Sequence, residues 1–126
     1  MPKLPHPTKA ELQILRVLWA AGPLSVRAVL HHLTQTRETG YTSVLKTLQI
    51  MTDKGLVERD DTVRPQVYRA RYSQERTQKQ LLADLIQRAY GGSIKALVLQ
   101  AIGTKRPSAK DLEALERLLD KVEGEP

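Results

Sequence analysis

The sequence predicts a mainly α-helical protein of the α+β class, in which a small β-hairpin follows three short helices and a wholly helical part follows the hairpin. Three observations give this prediction. Apolar residues recur at steps of three and four through most of the 126-residue chain. Two alternating segments, "LVER" and "QVYRARY", flank the polar stretch "DDTVRP", as two strands flank the loop of a hairpin. After Ser73 only helical patterns remain.

Capping residues bound the first two predicted helices. Thr8 opens "TKAE", a capping box with Glu11 three residues later, and this helix ends near "AAGP". After the extended Pro23 and Leu24, Ser25 can cap the second helix, "SVRAVLHHL". The predicted inward residues of the two helices are Leu12, Leu15, Leu18, Trp19, Val26, Val29, Leu30 and Leu33.

The third predicted helix lies in "TGYTSVLKTLQIMTDKGLVERD", residues 39–60. A lysine in its last turn and the following glycine, Lys54 and Gly55, predict where it ends. Three helices followed by a hairpin form the winged helix-turn-helix arrangement, so we expect residues 1–72 to be such a domain. The inward stripe of the third helix is Val44, Leu45, Leu48 and Met51.

The second part, residues 73–126, contains three amphipathic segments that are too short to bury their stripes against one another alone. They can fold back over the first domain or meet a second copy of the chain. Since two-fold dimers are the commonest oligomers, we expect a helical dimerisation domain. Its predicted interface residues are Leu82, Leu85, Ile86, Ile94, Leu97, Val98, Leu112, Leu115, Leu119 and Val122.

The charge of the chain is concentrated in the first part. The net charge is +6 at pH 7, of which residues 1–72 carry +5 and residues 73–126 carry +1. A basic patch attracts a polyanion, although a merely basic protein has the same composition. Aromatic residues, on which single-strand binders stack bases, are scarce, and this favours duplex nucleic acid.

Other compositional features limit the possible classes of protein. The chain has no cysteine, which excludes disulfides and thiolate metal sites. No apolar run approaches the roughly 20 residues of a membrane span, and the first residues do not resemble a secretory signal. We therefore expect a cytoplasmic protein. His31 and His32 diverge on a helix, and no nucleophile motif or phosphate loop is present, so we expect no enzyme activity, metal or cofactor.

The outward face of the third helix is the candidate DNA-binding surface. Thr42, Ser43, Lys46 and Gln49 point away from the inward stripe. Hydroxyl, ammonium and amide groups of this kind contact phosphates and base edges when the helix lies in a major groove. The same residues also suit a surface that meets only water. Further candidates for contacts with the DNA backbone or the wing are Tyr41, Arg64 and Arg27, followed by Arg37 and Lys9, with Arg69 and Arg71 outward on the last strand and Tyr68 inward or beside the wing.

Four segments together resemble the penicillinase-repressor (BlaI/MecI/CopY) family of bacterial regulators. They are "LQILRVLWAAGPLSVRAV", "YTSVLKTLQIMTDKGLVERD", "VYRARYS" and "YGGSIKALVL". The resemblance implies a winged-helix domain, a helical dimerisation domain and repression of transcription at palindromic operators, often of beta-lactam-resistance genes. It also implies recognition through Thr42, Ser43, Lys46 and Gln49.

Two departures from the family pattern concern regulation. The copper-responsive branch carries a cysteine cluster, which this chain lacks. The beta-lactam branch is inactivated by cleavage at an Asn-Phe pair, where this chain has Gln100 and Ala101. A sensor or protease that inactivates the protein is therefore implied only by the resemblance.

The sequence thus predicts a homodimeric repressor that binds a specific double-stranded DNA operator. The alternative is a winged-helix module that binds a protein instead of DNA. Nonspecific DNA compaction is a third possibility.

Overall fold

The computed structural model describes residues 6–104 and 108–124, without the side chains of residue 115 and residues 118–124. It divides into two compact units, Met1–Ala83 and Asp84–Pro126. This division falls within a helix and differs in position from the functional boundary predicted after Tyr72, which stays a prediction. In chain order the elements are α1 (Lys9–Ala21), α2 (Val26–Leu33), α3 (Tyr41–Lys54), β1 (Val57–Asp60), β2 (Val67–Ala70), α4 (Gln74–Tyr90), α5 (Ile94–Thr104) and α6 (Ala109–Gly124).

The predicted helix boundaries of the first unit are confirmed. Thr8 caps α1 in a reciprocal capping box with Glu11, and the Ser25 side chain accepts a hydrogen bond from the amide of Ala28 at the start of α2. α3 ends at Gly55, whose φ of 80° is in the left-handed region that glycine adopts without strain. Local capping chemistry therefore sets the lengths of these helices.

The fold is a winged helix, as the sequence predicts. β1 and β2 pair antiparallel, and the residues that face each other include Val57 with Ala70 and Arg59 with Tyr68. Tyr68 also exchanges two backbone hydrogen bonds with Leu24, of 3.0 and 2.8 Å, so the extended residue between α1 and α2 joins the edge of the hairpin. This bridge fastens the wing to the helices.

The core of the first unit lies where α1, α2 and α3 meet the hairpin. The predicted stripes of α2 and α3 supply half of its buried residues. Ile14 on α1 is fully buried and was not predicted, whereas Leu12 and Trp19 are only partly buried. The Trp19 indole donates to the backbone oxygen of Tyr72 at 3.0 Å, which explains its partial exposure: its polar edge is bonded at the margin of the core. The buried apolar residues are Ile14, Leu15, Leu18, Val26, Val29, Leu33, Val44, Leu48, Met51, Leu56, Val57 and Tyr68.

The second unit is helical, as predicted, and has a different character. Its described side chains, those of residues 84–104, 108–114, 116 and 117, include none that is buried. The Tyr90 hydroxyl of α4 donates to the Gln100 side-chain oxygen of α5 at 3.1 Å. The Ser108 side chain accepts a hydrogen bond from the amide of Asp111 at 3.1 Å, which caps the start of α6.

Candidate nucleic-acid interface

α3 is divided into a buried side and an exposed side. Val44, Leu48 and Met51 are at most 1% exposed, which fixes the helix against the core of the winged-helix unit. The four predicted recognition residues lie on the other side and are exposed. They are Thr42, Ser43, Lys46 and Gln49.

The exposed side chains of α3 keep their polar groups available. Within the described part of the chain, none of the four has a side-chain hydrogen bond or an ion pair. Thr47, between them in sequence, instead donates its hydroxyl to the backbone oxygen of Ser43 at 2.9 Å. The predicted surface can therefore contact a ligand without first breaking an internal bond.

The first turn of α3 also has free hydrogen-bonding capacity. Its N-cap is Gly40, and no side chain caps it. The first amides of a helix have no partner within the helix, and together with the helix dipole they favour an anion. An uncapped, exposed N-terminus beside the four polar side chains makes this end of α3 suitable for a phosphate.

A groove of about 440 Å³ joins α3 to its neighbours, and three more predicted residues line it. Arg27 comes from α2, Tyr41 from the start of α3, and Arg64 from the loop between the two strands. The guanidinium carbon of Arg27 lies 5.1 Å from the centre of the Tyr41 ring, a cation–π contact that orients the arginine. The fold therefore gathers cationic groups from two separate segments beside the first turn of α3.

The acidic residues of the hairpin loop, unlike Arg64, have partners of their own. Asp60 accepts hydrogen bonds from the hydroxyl and the amide of Thr62, and these hold the pKa of Asp60 below its ordinary value. Asp61 pairs with Arg59 at 2.7 Å. Arg64 is exposed and has no ion pair within the described residues, so its charge is available to an external anion.

The other predicted cations are less well suited to DNA. Arg69 is exposed but pairs with Glu58 at 2.9 Å, and Arg71 is stacked over the Tyr72 ring at 5.4 Å. Tyr68 is 2% exposed, so of its two predicted positions the inward one is correct. Lys9 and Arg37 are exposed and do not line the groove.

Sequence reasoning missed a partly buried ion pair at the other end of α3. Glu11, predicted only as the capping-box partner of Thr8, is 3% exposed and accepts a 2.7 Å hydrogen bond from Lys54 in the last turn of α3. The Lys54 ammonium also donates to the backbone oxygen of His6 at 3.1 Å. No sequence signal links residues this far apart, although a basic residue at a helix end and an acidic cap are each visible alone.

Two opposing effects set the pKa of Glu11. Burial by itself raises the pKa, but the hydrogen bonds from Lys54 and from the Thr8 amide lower it by more than burial raises it. The pKa of Glu11 therefore lies below its ordinary value of 4.5. The carboxylate is therefore charged at neutral pH. Its pairing fixes the end of α3 to the start of α1.

The predicted dimerisation residues are placed on α4, α5 and α6. Leu82, Leu85, Ile94 and Leu112 are exposed by 43–63%. Ile86, Leu97 and Val98 are half-buried. The side chains of Leu115, Leu119 and Val122 lie outside the described residues.

Two further findings concern metal ligands and membrane-spanning helices. The rings of His31 and His32 lie 6.1 Å apart at an angle of 74°, and no group of three metal-ligating side chains occurs among the residues that the structure describes. No helix in that part of the chain is both long and apolar enough to cross a membrane.

Comparison with known proteins identifies the family. The family model described as penicillinase repressor matches residues 7–121. The chain belongs to the penicillinase repressor family. This family consists of transcriptional repressors and not of enzymes.

Two individual proteins show the same relationship. A penicillinase repressor of Bacillus licheniformis is 21% identical over 120 residues, which cover 95% of this chain and 94% of the relative. The solution structure of the monomeric form of Bacillus licheniformis BlaI, in complex with the blaP half-operator, has a TM-score of 0.53 and 22% identity. The match covers 60% of this chain and 93% of the BlaI chain. At that identity the structural likeness shows a common fold.

Proposed function

We propose that this protein is a transcriptional repressor that binds a specific double-stranded DNA operator as a homodimer. The observation that carries the proposal is the division of α3. Its apolar side is buried, while the four predicted recognition side chains are exposed and make no hydrogen bond or ion pair among the described residues. In a winged helix this helix lies in the major groove. Thr42, Ser43, Lys46 and Gln49 are the residues that read bases and phosphates there.

The groove beside α3 supplies contacts to the DNA backbone. A phosphate that enters it meets Arg27 from one side and Arg64 from the other, with the Tyr41 hydroxyl and the first amides of α3 nearby. Such contacts hold the recognition helix in register along the duplex. They also make the affinity fall steeply with salt, since each neutralised phosphate adds about one unit of log–log slope.

Exposed apolar residues support dimerisation through α4, α5 and α6. Leu82, Leu85 and Ile94 expose 46–63% of their surface in the single chain. A second copy that packs against them would remove this surface from water. The relative of known structure is described as a monomer on a half-operator, and an operator made of two such halves requires two copies of the repressor.

Two-fold symmetry then predicts the operator. Two recognition helices in successive major grooves lie about 34 Å apart and read a palindrome. Regulated genes of the beta-lactam-resistance type fit the family, and a repressor of this kind acts in the cytoplasm. Inactivation by a sensor or protease is part of the same proposal. In this chain, Gln100 and Ala101 stand where the family's cleavage pair stands, and both are exposed in α5.

Selection of bound duplexes from a random pool tests the function directly. The parent should recover a palindrome, and the double variant Ser43→Ala with Lys46→Ala should lose most of its affinity for it while it unfolds at the same temperature. Both substitutions are on exposed positions of α3, so folding should be unaffected. Equal affinity of variant and parent would remove the recognition role from α3.

A titration at two salt concentrations separates the alternatives. Steep salt dependence with a preferred sequence supports the repressor. Steep salt dependence without a preferred sequence indicates nonspecific DNA compaction. An absence of duplex binding indicates the protein-binding module.

A further inference from the structure

We propose that Ile50 is a specificity-determining residue that recognises the 5-methyl group of a thymine in the operator. The inference rests on the proposed function, because it requires α3 to lie in the major groove. Ile50 lies four residues after Lys46 and seven after Ser43, so it projects from the same side of α3 as these two polar residues. It is 44% exposed, while the opposite side of the helix is buried.

The position of Ile50, and not its exposure alone, carries the argument. Single exposed apolar residues are common on protein surfaces. Ile50, however, is the large aliphatic side chain on a face that otherwise consists of hydroxyl, amide and charged groups. A β-branched residue is also a weaker helix former than alanine or lysine, so α3 gains no helix propensity from it.

The chemistry of the major groove provides a matching group. Base edges there display hydrogen-bond donors and acceptors, and the thymine methyl is the apolar group among them. When α3 enters the groove, an isoleucine beside Lys46 loses its water and needs an apolar neighbour. A thymine at the base pair that faces Ile50 provides its methyl group as this neighbour. A cytosine there presents its amino group instead, and the isoleucine leaves that hydrogen-bond donor unpaired.

Removal of single methyl groups from the DNA tests this inference. Each thymine of the selected operator is replaced in turn by deoxyuridine, which differs by one methyl group and keeps the same base pairing. For the parent protein, we expect the replacement at one thymine position in each half-site to lower the affinity by about fourfold. This factor corresponds to the burial of one methylene-sized group. In Ile50→Ala, the same replacement should change the affinity by less than about twofold.

Val63→Ala is the matched control. Val63 is 43% exposed and lies in the hairpin loop, outside the recognition helix α3. The Val63→Ala variant should lose as much affinity as the parent when thymine is replaced by deoxyuridine, even if its overall affinity for the operator changes. Thermal unfolding of both variants should resemble that of the parent, because both side chains are exposed.

The outcomes distinguish this inference from the proposed function. If the parent binds its operator and no thymine shows a methyl effect, or if Ile50→Ala keeps the effect, the role of Ile50 is wrong and the repressor function stands. If the parent binds no duplex at all, both fail. A methyl effect that Ile50→Ala loses and Val63→Ala keeps supports the assignment.

Discussion

The two compact units differ in how they bury apolar side chains. Met1–Ala83 encloses a core of residues from α1, α2, α3 and both strands, several of them with no exposed surface. In Asp84–Pro126, no described side chain is buried, and Ile94 and Leu99 expose more than 60% of their surface. The first unit has the interior of a domain that folds alone, whereas the described part of the second has exposed apolar residues, as the proposed dimer requires.

Under the proposed function, this difference suits the two units to different tasks. A self-sufficient unit can hold a recognition surface in fixed geometry whether or not other molecules are bound. A unit that depends on a partner can make the spacing of two recognition surfaces depend on assembly. Regulation that acts on the second unit would then release the DNA without unfolding the first.

The largest expected effect is a loss of stability in the core of the first unit. Leu48→Ala removes a fully buried side chain from α3 and should lower the free energy of unfolding by about 2–5 kcal/mol. Leu99→Ala, at a position 61% exposed in the second unit, should cost less than about 0.5 kcal/mol in dilute protein. Urea denaturation of both variants measures the contrast, and equal losses would contradict it.

The next effect concerns assembly. Leu85→Glu places a charge on the exposed apolar surface of α4, so sedimentation should show a monomer. Affinity for the full palindrome should fall by about 100-fold, because the two half-sites are no longer bound by linked domains, and affinity for a single half-site should be unchanged.

Lys79→Glu is the control for this variant. It reverses a charge on the same helix at a side chain that is 76% exposed, and it should leave the dimer intact. A dimeric Leu85→Glu protein would contradict the proposed interface.

A smaller effect is expected from the partly buried pair of Glu11 and Lys54. Glu11→Gln removes the charge but keeps the shape, and should lower the free energy of unfolding at pH 7 by about 1.5 kcal/mol, the low end for a charged hydrogen bond because Lys54 is one-third exposed. Since folding lowers the pKa of Glu11, the stabilisation is present above its ordinary value of 4.5 and is lost as the pH falls below it.

The measurement is a pair of urea titrations, parent and Glu11→Gln, at a series of pH values from 7 to acid. The difference between their free energies of unfolding should shrink below pH 4.5. A difference that stays constant with pH would show that the carboxylate charge does not stabilise the fold.

The smallest expected effect separates binding from stability within the first unit. A Cβ atom added at Gly40 would meet no other atom within 4 Å, and the φ of −114° at this position suits any residue. Gly40→Asp and Gly40→Ser should both cap α3 and stabilise the protein by a few tenths of a kcal/mol. Only the aspartate adds a negative charge where a phosphate is expected, which should weaken operator binding by about 1 kcal/mol. Equal binding by the two variants would place the phosphate elsewhere.

Much of the fold follows from interactions between residues close in sequence. Thr8 and Ser25 cap their helices, Gly55 ends α3, and the steps of three and four in α3 identify its buried side. Capping bonds and helical periodicity depend on neighbours within about four residues, so the sequence displays them directly. The polar face of α3 is visible for the same reason, since it is the complement of the buried stripe.

Tertiary structure alone decided which distant residues meet. Glu11 lies against Lys54, Leu24 bonds to Tyr68, and Arg27 stacks on Tyr41 beside the hairpin loop. These pairs form only when the chain closes loops between separate elements, and many closures are compatible with the same local patterns. The sequence therefore determined the helices and the two sides of α3, whereas packing determined the ion pair of Glu11 with Lys54 and the cationic groove, because long-range contacts leave no periodic signal in the chain.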